Sequence, residues 1–186
     1  METEQYTRFN PSDGRVFAGT STKFSNRQMY RGQGENTMTK PKILPPFYFF
    51  GAFVAQLFLH AYAPIQRILP HSWSVIGTLI IAFGAVMMVM SASLFRKMGT
   101  PVKPFEKSTV LVTTGYFKFT RNPMYLGMTL GLIGVAIRLG TLSPFLIIPI
   151  FVALIQTRFI KNEEIFLEGI FGREYLDYKS KVRRWL

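Results

Sequence analysis

The chain has 186 residues, 48% of them hydrophobic and 17% charged, and carries a formal net charge of +12 from 22 Lys and Arg against 10 Asp and Glu. Its mean hydropathy is +0.20. A chain that is both basic and apolar excludes an ordinary nucleic-acid binder, which is basic but polar, and fits a membrane protein whose cations are confined to loops. The lack of cysteine excludes disulfides, thiolate metal sites and cysteine nucleophiles.

Residues 1–39 are rich in Gly, Ser, Thr, Asn, Gln and Arg and hold no sustained periodicity, so they read as a disordered polar tail preceding a domain over 40–186. No charged start followed by an apolar core marks a secretory signal there. Gly32 and Gly34 make a Gly-x-Gly, but no strand or helix pattern flanks it. Four apolar runs follow, at about 44–65, 73–95, 123–139 and 142–160. A membrane span needs ~20 apolar residues. The expected fold is therefore all-α: a polytopic membrane protein of four transmembrane helices with a C-terminal amphipathic helical segment. Gly140 and Thr141 alone separate the last two runs, which predicts a tight helical hairpin. Gly127 and Gly131 open one face of the third run to close helix approach, either within the chain or as the seam of a homodimer. His60 and His71 lack the spacing of a paired metal site, and no metal is expected.

Charge placement predicts the orientation. Segment 96–121 holds Arg96, Lys97, Lys103, Lys107, Lys118 and Arg121 against Glu106 alone, and seven more Lys or Arg follow residue 157. The two short connections hold only Arg67 and Arg138. The excess of cations inside the cell then puts both termini and the 96–121 loop in the cytoplasm, at a bacterial inner membrane or its equivalent.

Two polar stretches can carry chemistry, 99–127 and 158–186. In the first, Pro123 suits the opening position of a helix and Asn122 its N-cap. A helix start with Arg121 beside it favours an anionic group. In the second, Glu163 and Glu164 lie next to apolar sequence and need cationic partners, with Arg121, Arg158 and Arg184 available. Tyr175, Tyr178, Val182 and Trp185 share one helical face, which lies on the membrane or lids a pocket. Arginine, a helix start, a carboxylate pair and aromatics at one membrane face suit a zwitterion with an extra positive charge.

The pattern L-V-T-T-G-x5-R-N-P-M-Y-L-G over Leu111–Gly127, followed by E-E-x2-L-x3-F-G-x2-Y-x2-Y-x3-V-x-R-W over Glu163–Trp185, resembles the isoprenylcysteine carboxyl methyltransferase and phospholipid methyltransferase group. The resemblance runs from about Phe95 to Leu186. It implies an integral membrane enzyme that uses S-adenosylmethionine in a cytoplasmic pocket. Its lipid-like acceptor, a prenylcysteine carboxylate, a phospholipid amine or another hydrophobic molecule, enters from the bilayer. Carried over by position, Thr109, Val110, Leu111, Val112, Phe117, Asn122, Pro123, Met124, Tyr125 and Glu163 bind the cofactor. Arg121, Glu163 and Glu164 serve the reaction, and Tyr175 and Tyr178 close the pocket. Eukaryotic-type members of the group have His at the position of Asn122 and Tyr at that of Phe117, whereas here a Tyr stands one place earlier, at Tyr116. The group's Arg four residues before the carboxylate is Phe159 in this chain, with Arg158 adjacent. An NADPH-dependent membrane reductase and a non-catalytic membrane protein are the competing functions.

Overall fold

The computed structural model describes residues 5–9, 16–20, 44–99 and 110–186, in two compact units, Met1–Thr37 and Met38–Leu186. In the first unit, β1 (Gln5–Phe9) and β2 (Val16–Thr20) pair antiparallel, with Gln5 opposite Thr20 and Phe9 opposite Val16. The sequence pattern predicted no regular structure there. β-Branched and aromatic residues concentrated in these two pentapeptides favour the extended pairing locally.

The second unit is helical: α1 (Pro45–Tyr62), α2 (Ser74–Lys97), α3 (Pro123–Leu139), α4 (Ile147–Ile155), α5 (Lys161–Phe171) and α6 (Arg173–Lys181). Pro45-Pro46 starts α1 and Pro123 starts α3, where the fixed φ of proline suits the first turn and its missing N–H costs nothing. Gly140 ends α3 at φ 73°, in the left-handed region that glycine enters without strain. A 3-10 turn, Ser143–Leu146, then leads into α4, confirming the predicted tight hairpin.

The helix does not stop at residue 160, as the hydropathy pattern suggested. A π segment, Gln156–Ile160, joins α4 to α5, so Ser143–Phe171 is one helix of 29 residues. The polarity that begins at Lys161 marks a change of surroundings along the helix rather than its end. Among the described residues, this helix and His71–Lys97 are long and apolar enough to cross a bilayer. α1 has 18 residues and α3 has 17, near the shorter limit of a span. Outward stripes on α1 (Phe47, Phe50, Val54, Phe58) and α2 (Val75, Leu79, Phe83, Val86, Val89) are exposed apolar surface, suited to hydrocarbon rather than water.

α2 and α3 meet backbone to backbone. A Cβ on Gly77 would come within 2.6 Å of the Gly134 carbonyl oxygen, and one on Gly84 within 2.6 Å of that of Gly127. Gly131 faces the Phe49 ring of α1. Of the two uses open to the Gly127 and Gly131 face, the structure shows packing within the chain, Gly127 against α2 and Gly131 against α1, because glycines at these positions permit the contact between neighbouring spans. The core joins Tyr125, Met128 and Leu132 of α3 to Phe151, Ile155, Phe159 and Ile160, with Tyr48 and Phe53 of α1 against it.

The end of the bundle near the α1–α2 connection is tied by polar groups. Buried Gln56 donates from Nε2 to the Leu132 and Pro144 carbonyls at 3.1 Å each. His60 Nδ1 and Thr141 Oγ1 share a hydrogen bond of 2.8 Å, which gives His60 a structural partner. Ile68 N–H donates to the Gly140 carbonyl and Leu142 N–H to that of Gln66.

Candidate active site

The other end of the bundle holds a cavity of about 170 Å³. Leu44, Pro45 and Pro46 reach it from the start of α1, Phe95 from the end of α2, and Phe117 from a 3-10 turn. Arg121 to Tyr125 and Met128 come from the start of α3, and Glu163 from α5. The sequence-predicted residues Arg121, Phe117, Asn122, Pro123, Met124, Tyr125 and Glu163 are therefore brought together. Val110, Leu111 and Val112 are not in the lining, and Val112 is buried in the fold. Thr109 lies outside the described residues. Met128 and the start of α1 line the cavity without having been singled out. The Pro-Pro pair that fixes the start of α1 was the available signal.

Glu163 is the cavity's acid. Its Oε2 accepts from the Tyr125 hydroxyl at 3.1 Å. Glu164, one residue on, is outside the lining and 7% exposed. Both of its oxygens accept from Arg184, Oε1 from Nε at 2.9 Å and Oε2 from Nη2 at 2.7 Å. Arg121 Nη2 stands 3.3 Å from the same Oε1, and Arg121 Nη1 donates to the Tyr175 hydroxyl at 3.4 Å. Arg121 is itself a buried wall residue of the cavity, and its Nε has no hydrogen-bond partner among the described residues. Hydrogen bonding to Glu164 pushes the Arg184 guanidinium up from its ordinary value. Burial, helped by the charge of Glu164, pushes the Tyr175 hydroxyl up to about 12, and burial also raises that of Tyr178. Both phenols therefore remain neutral through physiological pH.

The C-terminal residues dock on the turn before α3. Arg121 N–H donates to the Arg183 carbonyl at 3.0 Å. Thr120 Oγ1 and Asn122 Nδ2 both donate to the Arg184 carbonyl, at 3.2 and 2.9 Å. Asn122 holds the N-cap position of α3, but its side chain makes no cap bond; its Nδ2 donates to the Arg184 carbonyl. Tyr178 donates to the Phe117 carbonyl at 2.7 Å, and Trp185 Nε1 to Gln156 Oε1 at 3.0 Å. The helical face expected over Tyr175, Tyr178, Val182 and Trp185 is cut short: α6 ends at Lys181 with Val182 in extended backbone, so Val182 and Trp185 lie outside the helix.

The departures from the group's pattern have visible consequences. Phe117 packs edge-on against Phe95 at 5.2 Å between centroids, while the Tyr116 hydroxyl points to Met90 Sδ at 3.6 Å. Phe159 is core, between Tyr48 and Tyr125. Arg158 is exposed and has no carboxylate partner among the described residues, so the partners of Glu164 are Arg121 and Arg184.

An apolar helical bundle with buried charges gathered around one end cavity defines a membrane-embedded protein with a polar ligand site. The family model described as phospholipid methyltransferase matches residues 73–174, more than half of the chain. The chain belongs to that family, and the match takes in α2, upstream of the motifs. Protein-S-isoprenylcysteine O-methyltransferase of Saccharomyces cerevisiae is 38% identical over 80 residues, covering 41% of this chain and 32% of the yeast protein. The protein of the same name from Xenopus laevis is 33% identical over 117 residues, covering 59% and 38%. An uncharacterized protein of Haemophilus influenzae is 44% identical over 63 residues, covering 34% of this chain and all of that one. Among solved structures, the eukaryotic intramembrane Ras methyltransferase, isoprenylcysteine carboxyl methyltransferase, superimposes with a TM-score of 0.54 at 25% identity. That likeness covers 74% of this chain and 50% of the other. The chain thus spans half or less of the length of these named methyltransferases.

Proposed function

We propose that the protein is an S-adenosylmethionine-dependent methyltransferase acting on a lipid-like acceptor, held in the membrane by four helices with both termini in the cytoplasm. One observation carries this: a single cavity whose wall joins an acid, Glu163, to the Arg121 side chain beside the start of α3. A carboxyl and a guanidinium in one apolar enclosure fit an amino-acid zwitterion, and the carboxyl, which burial pushes up to about 7, takes its charge beside an added cation. Arg121 and the first turn of α3 would hold the carboxylate, and Glu163 the amino group. The names of the relatives support the same chemistry.

When bound, the cofactor supplies a methyl group on a sulfonium. The residues here have the tasks of alignment and water exclusion, since a thioether leaves without an acid. Tyr125 holds Glu163 in place from the second residue after Pro123. Phe95, Phe117, Met124 and Met128 provide the apolar wall against which a hydrophobic acceptor can pack.

The test is calorimetric titration of detergent-purified protein with S-adenosylhomocysteine, with NADPH in parallel. Saturable binding of the first alone is expected. Binding of NADPH alone makes the protein a reductase, and binding of neither by folded protein refutes the cofactor assignment.

A further inference from the structure

α1 is held differently at its two ends. Far from the cavity, fully buried Gln56 donates from Nε2 to the Leu132 carbonyl of α3 and to the Pro144 carbonyl of the turn before α4, at 3.1 Å each. One turn further on, His60 Nδ1 and Thr141 Oγ1 share a bond of 2.8 Å. Among the described residues, these are the side-chain hydrogen bonds that α1 makes to the rest of the bundle. Toward the cavity its contacts are apolar: Tyr48 packs edge-on against Phe159, and Phe49 against Phe151 and Gly131. Apolar packing resists separation but is non-directional, whereas a hydrogen bond fixes distance and angle. The height of α1 is therefore set at Gln56 and His60. Yet it is the other end, Leu44, Pro45 and Pro46, that walls the cavity, about 16 Å along the helix from Gln56. We propose that Gln56 is a positioning residue for the cavity: with His60 it pins α1 to α3 and to the turn before α4, and the helix carries that register to the first turn, which closes the apolar side of the cavity. The use of that wall, packing a hydrophobic acceptor, rests on the function proposed above.

The pin is separable from the fold. Gln56→Leu keeps a buried side chain of similar size and removes both donated bonds, and Oε1 accepts from none of the described residues, so no other bond is lost with it. His60→Leu removes the third bond. The α1–α2 connection stays tied in both variants. Ile68 N–H still donates to the Gly140 carbonyl and Leu142 N–H to that of Gln66, while Ser143 Oγ holds the Ala63 carbonyl and the Ile65 N–H. All of these lie beyond Tyr62, the last residue of α1. The helix remains tethered to the bundle and free to slide or tilt within its apolar packing.

Because the chain lacks cysteine, pairs of introduced thiols can carry spin labels, and double electron–electron resonance reads the distance between them. Phe47→Cys in the first turn of α1 and Lys97→Cys at the end of α2, both exposed positions, report on the wall. Lys97→Cys with Ser180→Cys leaves α1 out and is the control pair. In the Gln56→Leu/His60→Leu background the 47–97 distance should shift by about 1.5 Å or more, the rise of one helical residue, or its distribution should broaden. The 97–180 distance should stay as it is in the parent chain. Gln56→Leu alone should give a smaller change of the same kind, and it carries the test if the double variant does not fold. An unaltered 47–97 distance, or an equal change in both pairs, overturns the positioning role. No ligand enters the measurement, so a wild-type chain that fails to bind S-adenosylhomocysteine overturns the cofactor assignment and leaves the position of the wall decided by the labels.

Discussion

Glu163 and Glu164 are adjacent in the chain and differ in what surrounds them. Glu164 has two arginines, Glu163 a single phenol and the cavity. Their substitutions should therefore separate stability from binding. Glu164→Gln strips the counter-charge from a buried Arg121, and breaking a buried pair costs on the order of 3 kcal/mol. It should lower the midpoint of thermal unfolding in detergent by several degrees. Glu163→Gln keeps a group that can accept from Tyr125 and removes a carboxyl whose charged form burial disfavours, so the unfolding midpoint should hold or rise. Its affinity for S-adenosylhomocysteine should nevertheless fall at least tenfold, as should that of Tyr125→Ala. Unaltered affinity in both cavity variants, measured by calorimetry, would refute the site. The sequence made both glutamates and the turn at Arg121–Tyr125 visible, because charge beside apolar sequence and proline after asparagine are local signals. Which arginine meets Glu164 was open, since Arg184 lies 20 residues along the chain from it and reaches it only through the docking of the C-terminal strap.

Elements show the same division between local and non-local information. The helices and the hairpin at Gly140 were legible from hydropathy and glycine placement. The π segment was not, because hydropathy is insensitive to a single inserted residue. That insertion turns everything after Ile160 by about 100° relative to an unbroken α-helix. It is part of what brings Glu163 to the cavity and Glu164 to the arginines. Deleting Thr157, an exposed residue of the segment, should restore the plain α register and rotate both acids away. Loss of S-adenosylhomocysteine binding with unchanged helical circular dichroism is the expected result, and retained binding would show that the π register is dispensable. The α2–α3 contact depends on glycine in a different way. Gly84→Ala places a methyl against the Gly127 carbonyl oxygen, a fixed backbone atom, so the helices must part. Overpacking of this kind costs about 1–3 kcal/mol. Gly51→Ala, at an α1 position with nothing within 4 Å, should cost nothing and serves as the control in the same unfolding series.

At the scale of the whole molecule, the polar chemistry is gathered at one end of the bundle. Every acid among residues 44–99 and 110–186 lies between Glu163 and Asp177, on the helices that bear the site, whereas the opposite connections carry Arg67 and Arg138 without a single acid. Cations outnumber acids at the site end as well, and the flanking loop adds more in sequence, which is the basis for placing that end in the cytoplasm. On the proposed reading, a soluble cofactor reaches the cavity from that side. The native chain contains no cysteine, so a single introduced thiol reports its side of the membrane without background. Ser180→Cys, near the end of α6, and Arg67→Cys, in the α1–α2 connection, sample the two ends on exposed positions. In intact cells a membrane-impermeant maleimide should label Cys at 67 and leave Cys at 180 unreacted until the membrane is permeabilised. The reverse pattern would turn the molecule over and put the cavity where no S-adenosylmethionine is made. Labelling of both positions from outside would mean that the two ends share one side, which an odd number of crossings between them forbids. The labelling therefore tests the orientation and the parity of the spans together, and through them the access route that the proposed reaction requires.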